Sequence, residues 1–274
     1  MACLKKINVG KTLGLFVWLL ALLIGLGKPE AAHALETGVK PFDIVCDNWP
    51  IPTGFVIVSV QASQTCIGGV TEYTVSPPSE GLTVCYNSPI PAPYVITSLA
   101  VSNKCGGLDQ GTIRNIVDGM SVCKTSPIPD GYVVASAYND NVTCRGAGMY
   151  RVAAAGNGVA MCNFSVRPTG YVVNRVSNSG QCLGANAYVL QAVAEGVVGC
   201  SFSRSPDGYV VTAGQQTASC TDGDLRGDYW TFSQPYDGVN VCPFSPIPTG
   251  YYLTGTVTKA NCFGASFGYV LKKG

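Results

Sequence analysis

The segment 118–134 runs Asp118-Gly119-Met120-Ser121-Val122-Cys123-Lys124-Thr125-Ser126-Pro127-Ile128-Pro129-Asp130-Gly131-Tyr132-Val133-Val134. It holds, in order, an Asp-Gly turn signal, a short apolar run closed by a cysteine, a proline-rich turn and a β-branched run that reads as a strand. The same order recurs along the chain. Aligned on cysteine, copies begin at Cys46, Cys85, Cys123, Cys162, Cys200 and Cys242, a period of about 39 residues that marks stacked or radially arranged units. Pro52-Thr53-Gly54-Phe55, Pro168-Thr169-Gly170-Tyr171, Pro206-Asp207-Gly208-Tyr209 and Pro248-Thr249-Gly250-Tyr251 repeat the turn, while Pro93 takes the glycine's place before Tyr94. A Pro, polar residue, Gly order predicts a type I turn with Pro second and Gly fourth.

A second strand is expected near Tyr73, Ile113, Tyr150, Tyr188 and Tyr229. It ends at Glu80-Gly81, Asp118-Gly119, Asn157-Gly158, Glu195-Gly196 or Asp237-Gly238. These dipeptides predict type I′ hairpins leading into a short return strand that stops on the next cysteine. The fold class is therefore all-β, six tandem disulfide-bonded repeats of three strands each.

Cysteine spacing selects a pairing. From first to second cysteine within a copy the separations are 20 or 21, whereas from second to the next first they range from 18 to 22. The more rigid interval favours Cys46–Cys66, Cys85–Cys105, Cys123–Cys144, Cys162–Cys182, Cys200–Cys220 and Cys242–Cys262, each loop contributing on the order of 3 kcal/mol by chain entropy. The alternative pairs Cys66–Cys85 and so on along the chain, leaving Cys46 to meet Cys262.

The ends set the topology question. Residues 38–46 resemble a return strand without an outgoing partner, and 267–271 an outgoing strand without a return. Closure into a propeller-like ring is the leading expectation because it removes exposed edges within one chain. An open array and a head-to-tail polymer are the alternatives.

Lys5, Lys6 and Lys11 precede an apolar run from Leu13 to Leu26, and Ala32-His33-Ala34 supplies small residues for a peptidase. Residues 1–34 are thus expected to be a secretory signal cut before Leu35, and 35–274 the repeat region. The run is short for a bilayer span, so no stable membrane span is expected after cleavage. The expected place is secreted, extracellular or at the cell surface, or the periplasm of a Gram-negative host. His33, the only histidine, and Cys3 would leave with the signal. This removes imidazole catalysis and His-ligated metals, and it leaves an even set of 12 cysteines to pair in an oxidising compartment. The mature chain carries 13 basic and 15 acidic residues, net −2, which excludes binding to nucleic acid through a basic surface.

Candidate sites are few. The series Phe55, Tyr94, Tyr132, Tyr171, Tyr209 and Tyr251 is expected to pack half-buried between copies, with sugar platforms as the alternative reading. The acidic run Asp222, Asp224 and Asp228 has part of the spacing of a calcium loop. Arg226 and Ser233 occupy ligand positions, so a solvated turn is the default and no cofactor is expected. Arg226-Gly227-Asp228 is an adhesion-type tripeptide too short to carry a receptor claim. Asn141-Val142-Thr143 and Asn163-Phe164-Ser165 are sequons by pattern. The first functional expectation is a non-enzymatic structural or adhesive protein that self-associates through its end strands. A multivalent binder of surface glycans comes second, and a carboxylate-dependent hydrolase last.

Overall fold

The computed structural model describes residues 40–274 except Arg204 and Asp224; the signal segment expected over 1–34 lies outside the described residues. The described chain is all-β and forms six modules in sequence order. Module 1 holds β1 (Asp43–Cys46), β2 (Val56–Ala62) and β3 (Thr71–Ser76); module 2 holds β4 (Thr83–Cys85), β5 (Tyr94–Ala100) and β6 (Gln110–Asn115). Module 3 holds β7 (Ser121–Cys123), β8 (Tyr132–Tyr138) and β9 (Met149–Ala154); module 4 holds β10 (Ala160–Cys162), β11 (Tyr171–Asn178) and β12 (Asn186–Ala192). Module 5 holds β13 (Val197–Cys200), β14 (Val210–Asp222) and β15 (Leu225–Ser233); module 6 holds β16 (Asn240–Val241), β17 (Tyr251–Cys262) and β18 (Ala265–Lys273). In every module the last strand is central and pairs antiparallel with both others.

This order corrects the hairpin reading. The short strand after each Asx-Gly or Glu-Gly turn joins the sheet of the next module, not that of the strand it follows. The turn itself has a positive φ at glycine only: Gly81 has φ 77° and Gly119 φ 73°, and their preceding residues are not among those with positive φ. A type I′ turn needs both. Each turn closes with a bond such as Leu82 N–H to Ser79 C=O at 3.1 Å and Met120 N–H to Val117 C=O at 3.2 Å, which puts glycine third, as in a type II turn. The residue before the glycine serves by its side chain. Glu80, Asp118, Asn157, Glu195 and Asp237 accept the backbone N–H of Asn115, Ala154, Ala192, Gln234 and Lys273, at the far end of the next module's central strand or just past it.

The proline turn is corrected in the same sense. Tyr132 N–H bonds Pro129 C=O at 3.2 Å and Gly131 has φ 84°. Proline is therefore first and glycine third, and the strained position explains the glycine. In module 2 a cis Ala92–Pro93 peptide stands at that place.

Nor does the chain close. β1 pairs with β3 and β18 with β16 and β17, so neither end strand lacks a partner, and among the described residues no sheet joins module 1 to module 6. The array is open. Modules 5 and 6 share one six-stranded sheet through the parallel contact of Gly214 with Cys262, and the same bridge recurs as Val60 with Cys105 and Ala137 with Cys182.

The joints hold the core. The six disulfides are Cys46–Cys66, Cys85–Cys105, Cys123–Cys144, Cys162–Cys182, Cys200–Cys220 and Cys242–Cys262. Val134 of module 3 packs on Cys162–Cys182 of module 4, Val173 on Cys200 and Cys220, and Val211 on Cys242 and Cys262. Each long strand carries a bulge just after this residue, between Ile57 and Ser59 in module 1 and at the equivalent place in the other five. A bulge withdraws an N–H from the ladder. The N–H groups of Ile57, Ile96, Val134, Val173 and Val211 instead donate to the hydroxyls of Ser88, Ser126, Ser165, Ser203 and Ser245 in the following module, at 2.7–3.0 Å. Those serines stand three residues after the first cysteine, so Cys-x-x-Ser is the joint's signature.

Removing one such acceptor strands a buried donor, which costs about 1–3 kcal/mol. Ser126→Ala is expected to lower the unfolding free energy by that amount, read as a lower denaturant midpoint at unchanged m-value, with all six disulfides intact; an unchanged midpoint would contradict the role given to the serine.

Candidate functional site

The acidic run does not converge. Asp222, at the tip of β14, reaches back to module 4, where Asn163 Nδ2 donates at 3.3 Å and Asn186 Nδ2 and the Tyr188 hydroxyl donate to its two oxygens. Burial alone would raise its carboxyl, but these hydrogen bonds outweigh it and hold the group below the ordinary aspartate range. Tyr188 is pushed upward by burial first and by the Asp222 carboxylate second. Asp228 sits elsewhere, lining an open cleft of about 480 Å³ with Gln216, Thr217 and Thr221, and burial pushes its carboxyl up. Asp224 lies outside the described residues. Among the described residues no three His, Cys, Asp or Glu side chains come together where a metal ion could be held.

The tripeptide 226–228 lies within β15 and not on a loop tip. A Cβ added at Gly227 would stand 2.9 Å from the Cys220 carbonyl oxygen and 2.9 Å from the Phe202 ring, so the backbone is pressed against module 5's own disulfide. Of the two sequons, Asn141 is exposed while Asn163 is tied to Asp222.

The aromatic series is half-buried throughout. Its hydroxyls are used internally: Tyr94, Tyr132, Tyr171 and Tyr251 donate to the carbonyls of Pro78, Ile116, Ala155 and Pro235, each 16 residues back, at 3.0–3.5 Å. These rings seal the joints and do not form free platforms. The proline turns beside them leave open grooves at successive joints. One of about 300 Å³ lies between Pro168-Thr169-Gly170 and Pro206-Asp207, and another of about 510 Å³ between Pro206-Asp207 and Pro246-Ile247-Pro248. A wider open cleft away from the proline turns, about 940 Å³, spans modules 1 and 2 and includes Phe42, Val60, Leu82 and Lys104.

Module 1 is built differently from its copies. Its Glu72 stands opposite Cys46 where modules 2 to 5 have Gln110, Met149, Ala187 and Tyr229. Glu72 is buried, at 3% exposure. Its carboxylate accepts from Thr65 Oγ1 at 2.6 Å, Gln61 Nε2 at 3.0 Å, Thr65 N at 2.9 Å, Gln64 N at 3.1 Å and Ser63 Oγ at 3.2 Å. The Thr65 hydroxyl, then Gln61, hold its carboxyl down at about 2. This cluster fixes the loop that carries Cys66. Sequence reading missed both this acid and the joint serines, although aligning the copies on cysteine displays the Cys-x-x-Ser triplet and the Trp49 that replaces the serine in copy 1.

No protein family, curated protein or solved structure matches the chain.

Because the Glu72 carboxyl titrates lower folded than unfolded, its contribution is complete above the ordinary value of about 4.5 and is lost as pH falls toward about 2. Glu72→Gln is therefore expected to flatten the fall in stability of module 1 between those values. An unaltered pH profile of hydrogen exchange in residues 61–72 would contradict this.

Proposed function

We propose that the protein is a non-enzymatic extracellular scaffold, structural or adhesive in role, in which the polar side chains serve the joints between modules. The observation that carries this reading is the recurrence of one joint five times. Each has a bulge N–H on a serine and a turn side chain on a strand-end N–H, and the downstream disulfides are almost wholly buried. Buried disulfides in short loops suit an oxidising environment and restrict the unfolded chain, which lets a thin β array persist without a single large core. The residues with reactive chemistry fit the same reading: the twelve described cysteines are paired, and Asp222 and Glu72 are engaged in several hydrogen bonds each.

A second reading is favoured by the recurrent grooves beside the proline turns, which give successive joints similar open surfaces. Equivalent weak sites gain avidity when a polymeric ligand spans several, so this is a multivalent glycan-binding array.

Secreted protein is expected to begin at Leu35, to show no free thiol, and to resist protease until reduced. A free thiol in folded protein, or equal resistance after reduction, would contradict the scaffold reading. Retention on immobilised polysaccharide that grows with the number of modules would favour the second.

A further inference from the structure

The two ends of the array are the two halves of one joint. In modules 1 to 5 the pair before the bulge is covered by the next module: Val56 and Ile57, Val95 and Ile96, Val133 and Val134, Val172 and Val173, Val210 and Val211 are all 0–3% exposed. The corresponding pair of module 6 is Tyr252 and Leu253, which are 47% and 36% exposed. The bulge is present there too, between Leu253 and Gly255, and Thr256 stands where Val60, Ala137 and Gly214 bridge to the following disulfide. Module 6 thus presents the donor half of a joint.

Module 1 presents the acceptor half. The cysteines of the other five disulfides are at most 1% exposed, whereas Cys46 and Cys66 are only half-buried. Ile44 and Ile67 stand exposed beside them, and Trp49, 69% exposed, occupies the place of the joint serine. Trading a serine for a tryptophan exchanges one hydrogen bond for a large aromatic area. That exchange suits a joint between separate molecules, which must offset lost translational and rotational freedom and is commonly anchored by tryptophan. Charge runs the same way, with Lys272 opposite Tyr252 across the ladder and Asp47 next to Cys46.

We infer that these faces take each other, module 6 of one copy docking on module 1 of a second, so that the stack continues from molecule to molecule. The occupant is a second copy because the surface complementary to the module 6 face lies at the other end of the same chain. The contact is heterologous and need not close, so it builds linear chains. Faces stack and no strand is inserted, since β1 and β18 already have partners. The inference rests on the scaffold reading above.

The test uses the secreted, oxidised protein and two variants at exposed positions, Leu253→Asp and Trp49→Asp, followed by sedimentation velocity from micromolar to near-millimolar concentration and by negative-stain microscopy. Wild type is expected to form concentration-dependent linear chains. Each variant alone is expected to stay monomeric, its association weakened by about thirty-fold or more, as for an interface hot spot. An equimolar mixture of the two is expected to stop at pairs, because each variant retains the face the other lacks. A monomeric wild type, self-pairing of Trp49→Asp, or a mixture that fails to pair would overturn the inference. Circular dichroism and intact mass verify folding and six disulfides, and Tyr252→Asp and Ile67→Asp probe the same faces if either first variant misfolds. A monomer that keeps its disulfides and protease resistance sinks the stacking and spares the scaffold; loss of resistance in unreduced protein sinks the scaffold itself.

Discussion

One hydrogen bond, repeated, organises this molecule: the backbone N–H set free by a β-bulge in one module is accepted by a serine hydroxyl in the next. Without the bulge that N–H would stay in its own ladder, and the tie to the next module's serine would be lost beside the backbone bonds that also cross the joint, such as Val60 N–H to Lys104 C=O and Ala137 N–H to Gln181 C=O. With the bulge but without the serine, a donor would be buried unsatisfied, at a cost of about 1–3 kcal/mol, at least the whole net value of an ordinary hydrogen bond. The serine also donates onward, to Pro89, Pro127, Val166 and Pro246 carbonyls in four joints and back to Val173 in the fifth. The joint is therefore satisfied in both directions. The disulfide beside it completes the fit by presenting two sulfurs to the residue that precedes the bulge, Ile96, Val134, Val173 or Val211.

Cooperativity follows from this arrangement. A module of three short strands buries little on its own, and its apolar residues lie at its two faces, not in a private interior. One cluster joins Val56, Val84, Ile96, Cys123 and Met149 from three successive modules, and another joins Val133, Met161, Val173 and Cys200 in the same way. Nearest-neighbour interfaces then carry the stability, as in other one-dimensional arrays. The terminal modules bear the consequences: module 1 fixes its loop internally through Glu72, and modules 5 and 6 extend their hairpins and merge their sheets.

Much of the fold is legible in the chain, and the failures have physical causes. The six copies and three strands per copy follow from cysteine rhythm and β-branched runs, and the constant separation of 20 or 21 corresponds to the bonds formed. The phase of the modules is not legible, because Asp118-Gly119 reads as a hairpin signal. Asp118 is there to accept Ala154 N–H, a contact 36 residues away that local turn statistics do not contain. Ring closure fails for the same reason: moving each short strand into the next module's sheet supplies both ends with partners. The candidate acidic loop is half explained, since Asp222 looks like a ligand in sequence but is committed to Asn163, Asn186 and Tyr188 by the backward reach of β14. The end faces become visible only once the joints are known, as the places where the repeat is interrupted.

Amide hydrogen exchange resolved at single residues tests the joint most directly, on protein dilute enough to be monomeric. Strong protection is expected for the N–H groups of Ile57, Ile96, Val134, Val173 and Val211, which differ in module but share a serine acceptor, and rapid exchange at Leu253, which has the same bulge and, among the described residues, no serine acceptor. Equal protection at all six, or rapid exchange at the five, would contradict this.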